Sequence, residues 1–323
     1  MTALGLLSGG LDSQLACRVL QEQGIEVIGV SCVTPFFNAD RAKRAATALG
    51  IELIVADITD EHLAMVKAPA HGYGRNMNPC IDCHAMMFAR ATELMRERKA
   101  DFVFSGEVLG QRPMSQNRQA LNTVARISGA AEHILRPLSA QLLPETSMEQ
   151  NGLVDRTRLL ALEGRSRKPQ LALAKQYGLV DFPSPAGGCL LTDPGFSARL
   201  RELFEHEPEA GALQIERLKV GRHYRLPSGH KLIVGRNHND NQRLEQLGGA
   251  DTWKLHLLTG PGPLSLLSGP PNEAALMLAA AITLSHSKAH GVARLLCTAP
   301  DARTRELECT PASQEERTRL LLG

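Results

Sequence analysis

Two groups of residues have the types and spacing to do chemistry: Ser8-Gly9-Gly10-Leu11-Asp12-Ser13, and three cysteines, Cys80, Cys83 and Cys189. Adjacent glycines let a backbone curl until several N–H groups point into one concavity. A helix that follows adds its positive end, and together these bind phosphate. Asp12 is placed to hold a magnesium ion beside a polyphosphate. No lysine follows the glycines, so this is not a P-loop of the lysine type. A plain strand-to-helix turn capped by Asp12 is the competing reading. The Asp-Ser pair directly after the glycines favours a nucleotide.

Cys80 and Cys83 form C-x-x-C at the expected start of a helix, after Pro79. That spacing turns both sulfurs to one side, and a helix N-terminus lowers thiol pKa values. Cys189 follows Pro185-Ala186-Gly187-Gly188 in a loop able to bring in a third sulfur. Three readings are open. One is a [4Fe–4S] cluster on the three cysteines with one iron left open. The second is a persulfide on Cys80 or Cys83 resolved by Cys189, or the reverse. The third is zinc with His84 as fourth ligand. Cys17, Cys297 and Cys309 read as small buried thiols, and Cys32 fits either class.

The elements that must position these groups follow from hydrophobic period. Apolar runs over 3–7, 26–33, 52–56 and 102–105 read as strands, and helical spacing covers 12–22, 39–49 and 79–99, the last with Met86, Met87, Ala91 and Leu94 inward. Alternating strands and helices predict a doubly wound parallel α/β sheet. Past His206-Glu207-Pro208-Glu209 the pattern changes to short strands, a Pro227-Ser228-Gly229 hairpin and an Ala/Leu-rich helix over 272–286, a smaller α+β domain. The expected domains are 1–205 and 210–323. Two domains also suit 323 residues. No apolar run reaches the roughly 18 residues of a membrane span, and the start shows no signal peptide, so the expected location is cytoplasmic and no membrane partner is expected. Seven cysteines in a reducing compartment argue for metal or sulfur chemistry over disulfides. Aromatics at 4% exclude an extended base-stacking platform.

Ser8 to Ser13 resemble the signature of the PP-loop ATPases. Ser105-Gly106-Glu107-Val108-Leu109-Gly110-Gln111 with Ser115-Gln116, and then Arg136-Pro137-Leu138, resemble segments of the 4-thiouridine synthases. Asn78-Pro79-Cys80 to Cys83 and the Cys189 region look like the 2-thiouridylases. The resemblance covers about residues 3 to 200. It implies an adenine nucleotide α-hydrolase-like fold and ATP-dependent tRNA thiolation, in which a uridine carbonyl is adenylated and sulfur then displaces AMP. It further implies that Ser8, Gly9, Gly10, Asp12 and Ser13 hold the pyrophosphate end of ATP, that Ser31 and Cys32 lie near the adenine, and that Gly106 and Gln111 close over the nucleotide. The implied partners are tRNA and a sulfur donor, a cysteine desulfurase or free sulfide; a homodimer is compatible with the same reading. An ammonia-using amidating or ligase-type PP-loop enzyme is the alternative activity, and a non-catalytic RNA-binding protein the alternative class.

Seven Lys or Arg stand against one acid, Asp240, over 217–243, which reads as a positive surface. Gly235-Arg236-Asn237 with Asn241, then Asp251, Trp253 and Pro261-Gly262-Pro263, resemble the RNA-binding domain of the NFACT proteins over about 215–300. Lys219, Arg222, Arg225, Lys231, Arg236 and Asn237 are the expected RNA-binding residues, holding RNA chiefly through phosphates. A solvated charged hairpin is the plainer reading. Arg165, Arg167 and Lys168 open a helix, as a solvated face or as a guide for an RNA strand. A loop with His71, Tyr73 and Arg75 precedes Cys80, as a lid or a simple connection.

Overall fold

A computed structural model describes residues 1–184, 188–289 and 291–323. Residues 185–187, in the loop expected to carry Cys189, lie outside the described residues. The chain divides into two compact units, Met1–Thr192 and Asp193–Gly323. The division falls upstream of the expected 205–210. The helix Pro194–His206 buries Phe196, Leu200 and Leu203, and its Glu202 pairs with Arg225 and Lys231 of the second unit.

In the first unit the chain runs β1 (Thr2–Leu6), α1 (Leu11–Gln21), β2 (Glu26–Val33), α2 (Asp40–Leu49), β3 (Glu52–Asp57), α3 (Thr59–Lys67), α4 (Cys80–Glu97), β4 (Phe102–Ser105), α5 (Arg118–Ile127) and β5 (Ile134–Leu135). The sheet order is β3-β2-β1-β4-β5, and every pairing in it is parallel. Leu7, Leu11, Leu15, Leu20, Ala42 and Phe104 form the core on one face; Leu4, Val30, Phe88, Ala91, Val103 and Val124 form it on the other. Burial on both faces explains the continuous apolar strands, and the doubly wound expectation holds. On α4 the inner face is Ala85, Phe88, Ala91, Leu94 and Met95. Met86 and Met87 were expected inside and are only half-buried.

The first three strands are laid outward from β1, and the chain then crosses to β4 on its other side. The order therefore reverses between β1 and β4, which is where open α/β sheets bind ligands at the strands' carboxyl ends. Both loops leaving that point need glycine. Gly9 has φ +73°, and a Cβ there would lie 2.4 Å from the Arg41 backbone. A Cβ on Gly106 would lie 2.4 Å from the carbonyl carbon of Asp12. The loop after β4 thus rests directly on the first turn of α1.

The second unit carries a sheet ordered β11-β10-β8-β9-β7-β6-β12, formed by β6 (Arg222–Arg225), β7 (Lys231–Val234), β8 (Thr252–Leu257), β9 (Ser265–Ser268), β10 (Ala293–Thr298), β11 (Thr304–Cys309) and β12 (Leu321–Leu322). All of its pairings are antiparallel. The helix Glu273–Leu284 packs Leu276, Ala279, Ala280 and Ile282 with Leu255, Leu267, Leu295 and Cys297. Leu244, from the helix His238–Leu247, packs with Val220, Ile233 and Leu266. Cys17, Cys297 and Cys309 are buried as expected. No helix among the described residues is long and apolar enough to cross a membrane.

Gly106→Ala will force the β4 loop off α1. The expected cost is about 2 kcal/mol, read as a lower urea midpoint at unchanged m-value.

Candidate nucleotide and sulfur site

At the sheet's reversal point, Gly10 precedes α1 with φ −75° and ψ 160°. Its N–H donates to Ser8 Oγ at 3.3 Å, and Ser13 Oγ donates to the Gly10 carbonyl at 2.8 Å. Gln14 Nε2 holds the Gly9 carbonyl at 3.1 Å. The loop is thereby shaped by its own side chains. Asp12 sits in the first turn of α1 with Oδ2 accepting from Gln111 Nε2 at 3.0 Å. Its Oδ1 is buried without a partner. Burial pushes the Asp12 carboxyl up, against the Gln111 hydrogen bond and the charges of Arg167 and Arg112. Beside Gly9 a cavity of about 230 Å³ is lined by Arg41, Arg44, Asp181, Phe182 and Pro183.

The structure brings Ser8, Gly9, Gly10, Asp12, Ser13, Gly106 and Gln111 to this one place. Ser31 and Cys32 end β2, both buried. Burial pushes the Cys32 thiol up to about 12, and its charge bears on Cys83.

Pro79 precedes α4, and Cys80 is its first residue. Asn78 Nδ2 donates to Cys80 Sγ at 3.3 Å. Cys189 is held by its neighbours: Leu190 N–H donates to the Phe36 carbonyl at 3.2 Å, and Thr192 Oγ1 to the Cys189 carbonyl at 2.7 Å. The Thr192 carbonyl accepts from Asn76 Nδ2 at 2.7 Å, tying that turn to the loop before α4. His71 binds Asp82 through Nδ1 at 2.6 Å and through its N–H at 2.9 Å. With the Tyr73 hydroxyl on the Val66 carbonyl, the loop is a pinned connection and not a lid.

The thiols are near enough to act on one another. Burial raises the Cys83 thiol well above its ordinary value, and the charges of Cys189, Cys80 and Cys32 push the same way. Burial likewise lifts Cys189 to about 11, with Cys80 adding to it. The expected lowering by the helix N-terminus is therefore overturned at Cys83, where desolvation and like charge outweigh the dipole. Among the described residues no group of three His, Cys, Asp or Glu side chains closes around one ion position.

Two residues of this region were not among the expected site residues. His62 on α3 is fully buried between Phe36 and Phe37, at ring distances of 5.5 and 5.3 Å. Its Nε2 lies 3.4 Å from Cys83 Sγ, and burial holds it neutral, at about 4. Glu107 is the other. His84 Nδ1 meets its Oε1 at 2.9 Å and Arg136 Nε its Oε2 at 2.9 Å, which removes His84 Nδ1 from any zinc set. Burial alone would raise the Glu107 carboxyl; Arg136 and His84 overcome it and hold it at about 2.

In the second unit most of the expected positive surface is neutralised. Lys231 is buried on Glu202 at 2.8 Å, which corrects its assignment as an RNA contact. Arg225 bridges Glu202 and Glu207, Lys219 meets Glu216, and Arg236 meets Asp240 at 2.6 Å. Asn237 caps the helix His238–Leu247 through Asp240 N–H. Arg222, half-exposed on β6, has no acidic partner among the described residues.

Arg136→Met will leave the buried Glu107 carboxylate without its cation, at a cost of about 3 kcal/mol at neutral pH. In the native protein the stabilisation from ionised Glu107 is full above about 4.5 and lost as pH falls toward about 2. The difference between native and variant in urea unfolding should shrink across that window.

Residues 1–127 match the family described as tRNA methyl transferase HUP domain, and residues 221–320 match the NFACT protein RNA binding domain. The chain is 28% identical over 252 residues to the tRNA-specific 2-thiouridylase MnmA of Symbiobacterium thermophilum, covering 68% of this chain and 60% of that protein. It is 29% identical over 145 residues to a probable tRNA sulfurtransferase of Methanosarcina mazei, covering 42% of this chain and 34% of that one. A crystal structure of a 4-thiouridine synthetase–RNA complex with bound ATP aligns at a TM-score of 0.36 and 17% identity, over 67% of this chain and 52% of that chain. The chain thus spans about 60% or less of the length of these relatives. Both resemblances drawn from the sequence are borne out: the chain joins a domain similar to the tRNA-specific 2-thiouridylases and tRNA sulfurtransferases to a domain similar to the RNA-binding domain of NFACT proteins.

Proposed function

We propose that the protein is an ATP-dependent tRNA sulfurtransferase that adenylates a uridine carbonyl and replaces its oxygen with sulfur. One observation carries the reading. The adjacent residues Gly106 and Glu107 reach both halves of the chemistry: the backbone of Gly106 rests on Asp12, and the carboxylate of Glu107 holds His84, next to Cys83 on α4. A nucleotide loop and a set of cysteines are thereby kept in register by a single turn.

In this mechanism the Ser8–Ser13 loop binds the phosphates through backbone N–H groups and the start of α1. The buried, unpartnered Asp12 Oδ1 suits one ligand position of Mg²⁺, which takes its remaining ligands from phosphate and water; bound there, the ion would neutralise charge on the polyphosphate. The uridine carbonyl oxygen attacks the α-phosphate and pyrophosphate leaves. A carbonyl oxygen is a poor leaving group; as part of AMP it is a good one. The outer sulfur of a cysteine persulfide then attacks the activated carbon and expels AMP. A second cysteine thiolate attacks the inner sulfur, releasing the thiocarbonyl and leaving a Cys–Cys disulfide for an external thiol to reduce.

Thiol donors without a neighbouring cation also suit iron–sulfur chemistry. A [4Fe–4S] cluster on Cys80, Cys83 and Cys189 would supply an iron to carry hydrosulfide. Iron and sulfide content of anaerobically purified protein separates the two: stoichiometric iron selects the cluster, and an added sulfur atom on a cysteine peptide without iron selects the persulfide. Adenylation serving ammonia transfer would need none of the three cysteines.

Asp12→Asn should cut pyrophosphate release by ~100-fold or more. Cys189→Ala should leave ATP binding intact and abolish thiolated nucleoside in digested tRNA. Thiolated product from that variant would remove the sulfur role.

For the second unit we propose tRNA docking through phosphates. Arg222→Ala should reduce the slope of log affinity against log salt by about one. Lys231→Ala should lower stability and leave that slope unchanged.

A further inference from the structure

The glycine loop poses a charge problem. A triphosphate is strongly anionic and its pyrophosphate must leave with that charge, yet no lysine follows the glycines. A helix terminus supplies only about half an elementary charge. Of the two arginines beside Gly9, Arg44 is already tied to Asp181 at 3.2 Å. Arg41 lines the same cavity as Gly9 with no acidic partner among the described residues, and beyond it the fold delivers two further cations to the far side of the loop, next to Asp12.

The loop after β4 is zipped to a second loop far along the chain. Leu109 and Glu163 form a parallel bridge, and Gly164 N–H donates to the Leu109 carbonyl at 2.7 Å. Gly110 takes φ +74°, and a Cβ there would come within 3.4 Å of the Gly164 backbone nitrogen. On one side of this zip Gln111 reaches Asp12 at 3.0 Å and Arg112 follows it. On the other side the chain runs three residues to Arg167, the N-cap of the helix Lys168–Gln176, which packs against α1. The Nε of Arg167 is buried with no hydrogen-bond partner, as is Oδ1 of Asp12. Arg112 is exposed and has no carboxylate partner among the described residues.

We infer that Arg112 and Arg167 are the phosphate clamp of the nucleotide site, binding the β- and γ-phosphates that depart as pyrophosphate. Guanidinium presents a planar fork matched to phosphate oxygens. The assignment rests on the nucleotide reading above and adds to it the charge the glycine loop lacks. It also makes the zip a functional joint: pairing Leu109 with Glu163 holds together the two segments that carry these cations. The electrostatics agree, since Arg167 and Arg112 are the two charged groups that bear on the Asp12 carboxylate.

The test is calorimetric titration of the full chain with inorganic pyrophosphate, ATP and AMP, for wild type, Arg112→Ala, Arg167→Ala and Arg167→Lys. Each alanine variant should weaken pyrophosphate and ATP binding by ~10-fold or more, leave AMP affinity unchanged and keep the thermal midpoint. Arg167→Lys should recover part of the pyrophosphate affinity. Alanine variants that bind pyrophosphate like wild type, while wild type binds ATP, overturn the clamp and leave the nucleotide reading standing. The same holds if only tRNA affinity falls, or if AMP and pyrophosphate weaken together. A wild-type protein that binds neither ATP nor pyrophosphate sinks both.

Discussion

The close contact of the β4 loop with the first turn of α1 is the constraint on which the rest of this site depends. In an open parallel sheet, the connections leaving two neighbouring strands pass to opposite faces only where strand order reverses, and there the outgoing loops diverge enough to leave a crevice. Here that point lies between β1 and β4. The crevice forms only if the loop backbones approach closely, and the absent Cβ of Gly106 sets that distance. Everything downstream inherits it: Gln111 on Asp12, Glu107 on α4, and the pairing of Leu109 with Glu163.

Glu107 explains how a buried charge can serve as a structural joint. An ionised carboxylate in the interior is costly unless it is paired and its remaining lone pairs are filled. Arg136, His84 and Ser105 Oγ together fill them. These partners come from β4, from α4 and from the segment after β5, so the carboxylate ties three parts of the chain. The guanidinium of Arg136 also lies 5.7 Å from the Phe88 ring centroid, so its exposed plane is covered as well. Such a network is worth little if one member is missing. That makes it sensitive to substitution, and a poor place for drift in the position of α4.

The parallel sheet, the glycine loop and the helix that starts at Cys80 were legible in the residues, because each rests on local pattern: hydrophobic period, adjacent glycines, C-x-x-C after proline. What escaped was set by partners distant in the chain. His62 sits in Thr59–Lys67, a polar-looking helix, and Phe36 and Phe37, distant in the chain, pack against its ring. Counting charge over 217–243 suggested a basic face, but the neutralising acids Glu202, Glu207, Glu216 and Asp251 lie outside that window. Arg167 read as a solvated helix start because nothing local places it beside Asp12; the Leu109–Glu163 bridge does.

The cysteines themselves argue for sulfur chemistry. At Cys83 burial comes first, and Cys189, Cys80, Cys32 and Asp82 all push against ionisation with no cation to oppose them. The neighbouring imidazole of His62 is held neutral by its own burial. A purely structural thiol core has no reason to gather several sulfurs, since apolar side chains would fill the same volume without mutual repulsion. Two states relieve the strain of ionising such a set. A metal centre draws off the protons and supplies the missing positive charge, and a sulfur–sulfur bond removes the charges altogether. A thiol that keeps its proton is inert. Under the proposed function, such a site becomes reactive only when loaded.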